Sequence, residues 1–98
     1  MIQFRQTESV TLKAEYRLNG TLTDPDTYVI AIEDESGQVI VNNVAMSKDS
    51  TGKFSYEYTS AADATTGVYT AEAILTTGTN VQVPACHFEI VTDIPTIA

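Results

Sequence analysis

Strict alternation governs residues 10–18. Val10, Leu12, Ala14, Tyr16 and Leu18 fall on one side of an extended chain, and Thr11, Lys13, Glu15 and Arg17 on the other. Successive side chains of a strand point to opposite faces, so this order describes a strand buried on one face and solvated on the other. A helix needs apolar residues at odd as well as even steps, and the segment offers only even ones. The chain therefore starts as one half of a layered β structure.

The same grammar recurs between turn clusters. Asn19-Gly20 and Asp24-Pro25-Asp26 punctuate the chain before residues 28–33, which are apolar on both faces and read as a central strand. Asp34-Glu35-Ser36-Gly37 supplies a tight turn, after which residues 39–41 return as a hairpin partner. Asp49-Ser50-Thr51-Gly52 repeats the turn chemistry. Phe54, Tyr56 and Tyr58 then alternate with Ser55, Glu57 and Thr59, giving a strand with an aromatic inner row. Residues 60–66 are small and polar and read as a crossing loop or one helical turn. In residues 68–76, Tyr69, Ala71, Ala73 and Leu75 share one face, and Val68, Thr70, Glu72 and Ile74 the other. A turn at residues 77–80 leads to a last strand over 81–91, where Pro84 demands a bulge or an edge position. Residues 93–98 carry no pattern and read as a tail.

Six or seven strands at roughly ten-residue spacing without a helix make an antiparallel β-sandwich of about seven strands. With 98 residues there is room for one domain, residues 1–98, and not for two. The single cysteine excludes an intrachain disulfide and a multi-cysteine zinc site. A formal charge of −8 repels phosphate backbones, so nucleic acid is an improbable partner. No apolar run approaches the ~20 residues that cross a bilayer as a helix. The opening residues show no basic segment followed by an apolar core, so the chain is expected to work where it is made.

Asp63-Ala64-Thr65-Thr66-Gly67-Val68-Tyr69-Thr70-Ala71 resembles the corner that enters the sixth strand of an immunoglobulin-type sandwich. The resemblance implies that Gly67 permits the sharp entry and that the Tyr69 hydroxyl turns back onto nearby backbone. Ala71 stands where antibody domains carry a cysteine, and the chain has no tryptophan. A narrower likeness covers residues 18–91. Leu-Asn-Gly-x-Leu-x-Asp-Pro, Val-Ile-Ala-Ile-Glu-Asp-Glu-Ser-Gly, Lys-Asp-Ser-Thr-Gly-Lys-Phe-Ser-Tyr-Glu-Tyr and Gly-Val-Tyr-Thr-Ala-Glu-Ala together resemble small immunoglobulin-like proteins of tailed bacteriophages. That likeness implies a virion structural protein made in the host cytoplasm. It would decorate the head or serve the neck or tail, and dock on capsid or tail proteins or on copies of itself. An adhesive or spacer module of a microbial surface protein is the alternative, and a carbohydrate-binding sandwich a third class.

The chemistry-bearing residues favour no reaction. Cys86 and His87 are adjacent and so point to opposite faces, which prevents a nucleophile–base pair. Cys86 shares parity with Phe88 and Ile90 and is expected to be buried; His87 shares the outward parity of Glu89. Asp24, Asp26, Asp34, Glu35 and Asp49 lack the spacing of a calcium loop and read as turn carboxylates. Neither a nucleophile elbow nor a phosphate-cradling glycine loop occurs. No enzyme, metal or cofactor is expected. Phe54, Tyr56, Tyr58, Gly67, Tyr69 and Cys86 are assigned structural roles. Val29, Ala31, Val68 and Ile74 are apolar on the outward parity and form the expected protein–protein contact.

Overall fold

The computed structural model describes residues 2–91, all of them strand, turn or connection. The tail expected over residues 93–98 lies outside them. The strands are β1 (Gln3–Arg5), β2 (Ser9–Glu15), β3 (Arg17–Leu18), β4 (Thr21–Leu22), β5 (Thr27–Glu33) and β6 (Val39–Ala45). They continue with β7 (Ser47–Ser50), β8 (Lys53–Thr59), β9 (Gly67–Thr77), β10 (Asn80–Gln82) and β11 (Ala85–Val91). One sheet runs β1-β11-β9-β5-β6, with β10 also paired to β9; the facing sheet is β2-β8-β7; β3 and β4 form a small hairpin. The architecture is an immunoglobulin-like β-sandwich without a disulfide.

The alternation in β2 becomes a buried row of Val10, Leu12 and Ala14 against an exposed row of the intervening residues. From the other sheet, Ile30 and Ile32 of β5, Tyr69, Ala71, Ala73 and Leu75 of β9, and Phe88 and Ile90 of β11 meet that row. Each fully buried large apolar side chain contributes about 1.5–3 kcal/mol of transfer free energy. Tyr58, Tyr69 and Phe88 cluster at ring separations of 5.5–6.5 Å, and Tyr28 stacks on Phe54 at 4.3 Å. Phe54 and Tyr58 are buried and Tyr56 half-buried, so the expected inner aromatic row is present with its middle member at the margin.

Two features depart from a plain antiparallel sandwich. β1 pairs with β11 in parallel, Gln3 opposite Glu89 and Arg5 opposite Val91, because the opening segment covers the sheet edge before crossing to β2. The last strand does not bulge at Pro84. Gln82 pairs with Leu75 and Ala85 with Glu72, a single unbroken register. Pro84 accepts a hydrogen bond from the Ala73 amide at 3.0 Å, and the donor it lacks is the one that an antiparallel pair would return to Ala73, so the ladder is interrupted between β10 and β11.

Residues 60–66 form the crossing loop without a helix. At its end, Gly67 takes φ +132°, a region side chains rarely enter, and an added Cβ there would meet the Glu35 carboxylate. Two residues on, Tyr69 is fully buried and its hydroxyl donates to the Thr65 carbonyl at 2.6 Å.

Candidate functional site: a cleft between β2 and β11

The sheets do not close along one side. Sheet β2-β8-β7 has three strands and the other sheet six, and an opening lies between β2 and the start of β11. An apolar cleft of about 60 Å³ enters there, lined by Leu12, Lys13 and Ala14 of β2 and by Pro84, Ala85 and Cys86. Ile30, Met46, Ala71 and Ala73 form its inner wall.

Cys86 stands at this opening, and the expectation of a buried thiol is corrected. Its parity is inward as expected, since it lies opposite the buried Ala71. Burial nevertheless requires a facing element, and Cys86 stands at the mouth of the cleft beside β2, where it is exposed. The cleft wall still desolvates the sulfur enough to push the thiol pKa upward. Met46, buried at the crossing from β6 to β7, is the second sulfur of the cleft. Sequence reasoning passed over it, although a single long apolar residue between Asn42-Asn43 and Ser47-Lys48 was the available signal.

His87 points outward and is exposed, with Nδ1 3.1 Å from the Thr70 hydroxyl. The carboxylates are engaged locally. Asp24 accepts from Lys48 Nζ at 2.6 Å and from the Gly52 amide at 2.9 Å, so its carboxyl is held below the usual range, chiefly by Lys48. Asp34 Oδ1 accepts from the Ser36 hydroxyl at 2.6 Å and from the Ser36 and Gln38 amides at 3.0 Å. The Ser36 hydroxyl is the main cause of its lowered pKa. Asp49 accepts from the Ser55 hydroxyl. Among the described residues no group of three or more His, Cys, Asp or Glu side chains could hold a metal ion.

The expected interface residues separate into two places. Val29 and Ile74 lie directly opposite each other across β5 and β9, both half-buried on the outer face. Ala31 is one step along, opposite Glu72. Val68 lies further along β9, opposite Glu89 of β11, and is divided from Ile74 by Thr70 and Glu72. Three of the four are thus brought together and the fourth is not.

Comparison with known proteins follows from this fold. No protein-family model matches the sequence, and no curated protein matches it. Among solved structures, the chain is similar to a β-sandwich protein, CopC from Methylosinus trichosporium OB3b. The match has TM-score 0.62 at 13% identity and covers 98% of this chain and 88% of that one. At that identity the likeness establishes the fold. The expectations of a virion function and a virion location are thereby corrected: the structural neighbour is not a phage protein. The phrases that suggested one are turn-and-strand grammar that any sandwich of this topology can carry.

Proposed function

We propose that the chain is a non-enzymatic, copper-handling β-sandwich of the periplasm, with monovalent copper as its cargo. The observation that carries this reading is that Cys86 and Met46 line the same apolar cleft. Thiolate and thioether are the soft donors that select monovalent copper. The likeness to CopC supports the class of cargo. Divalent copper prefers nitrogen and oxygen donors, and the lone imidazole, His87, faces away from the cleft.

The test is anaerobic titration of the purified chain with monovalent copper against a chromophoric chelator. One equivalent should bind. Cys86→Ser and Met46→Leu should each weaken binding by about ten-fold or more, some 1.4 kcal/mol, while His87→Gln should leave it unchanged. Binding must displace the thiol proton, and burial raises that pKa. Apparent affinity should therefore rise with pH across the neutral range. Equal binding by wild type and Cys86→Ser would overturn the reading.

A further inference from the structure

We propose that Asn19, at the tip of the β3–β4 hairpin, is a modification site at which the native chain deamidates itself through a cyclic imide formed with Gly20. The Gly20 amide nitrogen attacks Cγ of Asn19 and closes a five-membered ring. The Cγ–Nδ2 bond breaks, and ammonia leaves with the proton that the Gly20 amide gives up. Water then opens the ring at one of its two carbonyls, leaving either an aspartyl residue or an isoaspartyl linkage through the former side chain. Nothing is oxidised or reduced, and water is the one co-reactant.

Asparagine is among the thermolabile residue types, but the chain's four asparagines are not equivalent. Asn19 alone is followed by glycine, so its attacking nitrogen is not crowded by a neighbouring side chain. Asn43 and Asn80 are followed by Val44 and Val81, whose branched, stiff side chains crowd that nitrogen. Asn42 precedes Asn43 inside β6. Asn80 is also tied, because its Oδ1 accepts from the Tyr16 hydroxyl at 3.1 Å. Asn19 is exposed, and among the described residues its side chain has no hydrogen-bond partner. Around Gly20 an added Cβ would meet nothing within 4 Å.

The fold sets how the reaction starts. Asn19 and Gly20 have φ +52° and +79°, the pair of positive values that a tight two-residue hairpin uses. Ring closure needs Asn19 to leave that conformation, since Cγ and the Gly20 nitrogen must come to the same side of the Cα–C bond. β3 and β4 pair at two positions, Arg17 with Leu22 and Leu18 with Thr21. So short a ribbon opens locally while the sandwich stays folded. The base of the hairpin is held apart from the tip, by Gln82 Nε2 donating to the Arg17 carbonyl at 2.8 Å and the Thr23 amide to the Tyr16 carbonyl at 3.1 Å.

The two products differ in consequence. The aspartyl form adds one carboxylate to a turn whose Gly20 carbonyl already accepts from Arg17 Nη1 at 3.2 Å. The isoaspartyl form puts an extra carbon into the main chain, which a two-residue turn cannot absorb with Leu18 still opposite Thr21.

The test is incubation of the purified native protein at about 37 °C in mildly alkaline buffer, followed by peptide mapping with mass and isoaspartyl detection. Asn19 should gain about 1 Da and yield both products, while Asn42, Asn43 and Asn80 remain intact. Gly20→Ala should slow the conversion at least about ten-fold, the effect of roughly 1.4 kcal/mol on a barrier. Because alanine strains the turn, the two chains are also compared in urea, where folding no longer differs and the same slowing should persist. Conversion in urea but none in the native protein overturns the inference. So does conversion of another asparagine ahead of Asn19, or an unchanged rate in Gly20→Ala. Neither Asn19 nor Gly20 lines the cleft, so the proposed cargo is tested separately.

Discussion

At the scale of single residues, three side chains carry the sharpest tests. The Tyr69 hydroxyl makes one hydrogen bond, to Thr65, from a fully buried ring. Tyr69→Phe keeps the ring packing and removes that bond, so urea denaturation should show a loss of about 1 kcal/mol. A loss near zero would mean that the corner is held by packing alone. Asp24 and Asp34 both titrate below their unfolded value of 3.8. A carboxylate with a depressed folded pKa stabilises above the unfolded pKa and loses that contribution as pH falls through the folded one. Stability should therefore be level near neutral pH and fall below about pH 4. Asp34→Asn should lower the neutral plateau and flatten the acid limb, as measured by the urea midpoint from pH 7 to pH 2.5. Cys86 teaches the limit of residue-level reading. Its inward parity was legible in the alternation with Phe88 and Ile90; its exposure was not, because cover depends on how far another sheet extends.

At the scale of elements, legibility followed the hydrophobic pattern. β2, β5, β8 and β9 could be read because each sets apolar residues against a core at a period of two. β7 could not, since Ser47-Lys48-Asp49-Ser50 is wholly exposed and is a strand only because it pairs with β8. The pairing of β1 with β11 is equally silent in the sequence: it joins residues more than eighty positions apart. The cleft inherits this problem, because its walls come from β2, β9, β11 and the β6–β7 crossing, and no local pattern sets their distance. One junction between elements is tight enough to test. Gly52, in the turn between β7 and β8, has φ +73°, and an added Cβ would sit 2.9 Å from both the Thr23 amide nitrogen and the Tyr16 carbonyl oxygen. Those two atoms bond each other at 3.1 Å, and Tyr16 N donates to Gly52 O at 2.8 Å. Gly52→Ala thus combines a left-handed backbone with a clash against main chain that cannot swing away. It should cost about 1–3 kcal/mol, read from the urea midpoint. Gly20→Ala, with open space around the added carbon, bears the backbone strain alone and should cost less.

At the scale of the whole molecule, charge imbalance is the dominant long-range force. Thirteen acidic residues face five basic ones. Among the described residues only two ion pairs form, Arg17 with Glu15 and Lys48 with Asp24. Both are solvent-accessible, and exposed pairs contribute about 0–1 kcal/mol each. Repulsion among the remaining carboxylates acts between groups spread over the surface, where salt screens it beyond about 10 Å at 0.1 M. The unfolded chain relieves that repulsion by expanding, so screening should favour the folded state more than it weakens the two pairs. Raising sodium chloride from about 20 mM to about 500 mM should therefore increase the thermal midpoint at pH 7. The gain should shrink as pH is lowered towards neutrality of charge, because protonation removes the repulsion that salt would screen. A thermal midpoint that falls with salt would show instead that the few attractive pairs outweigh the repulsion, and that the carboxylates lie far enough apart to be indifferent to one another.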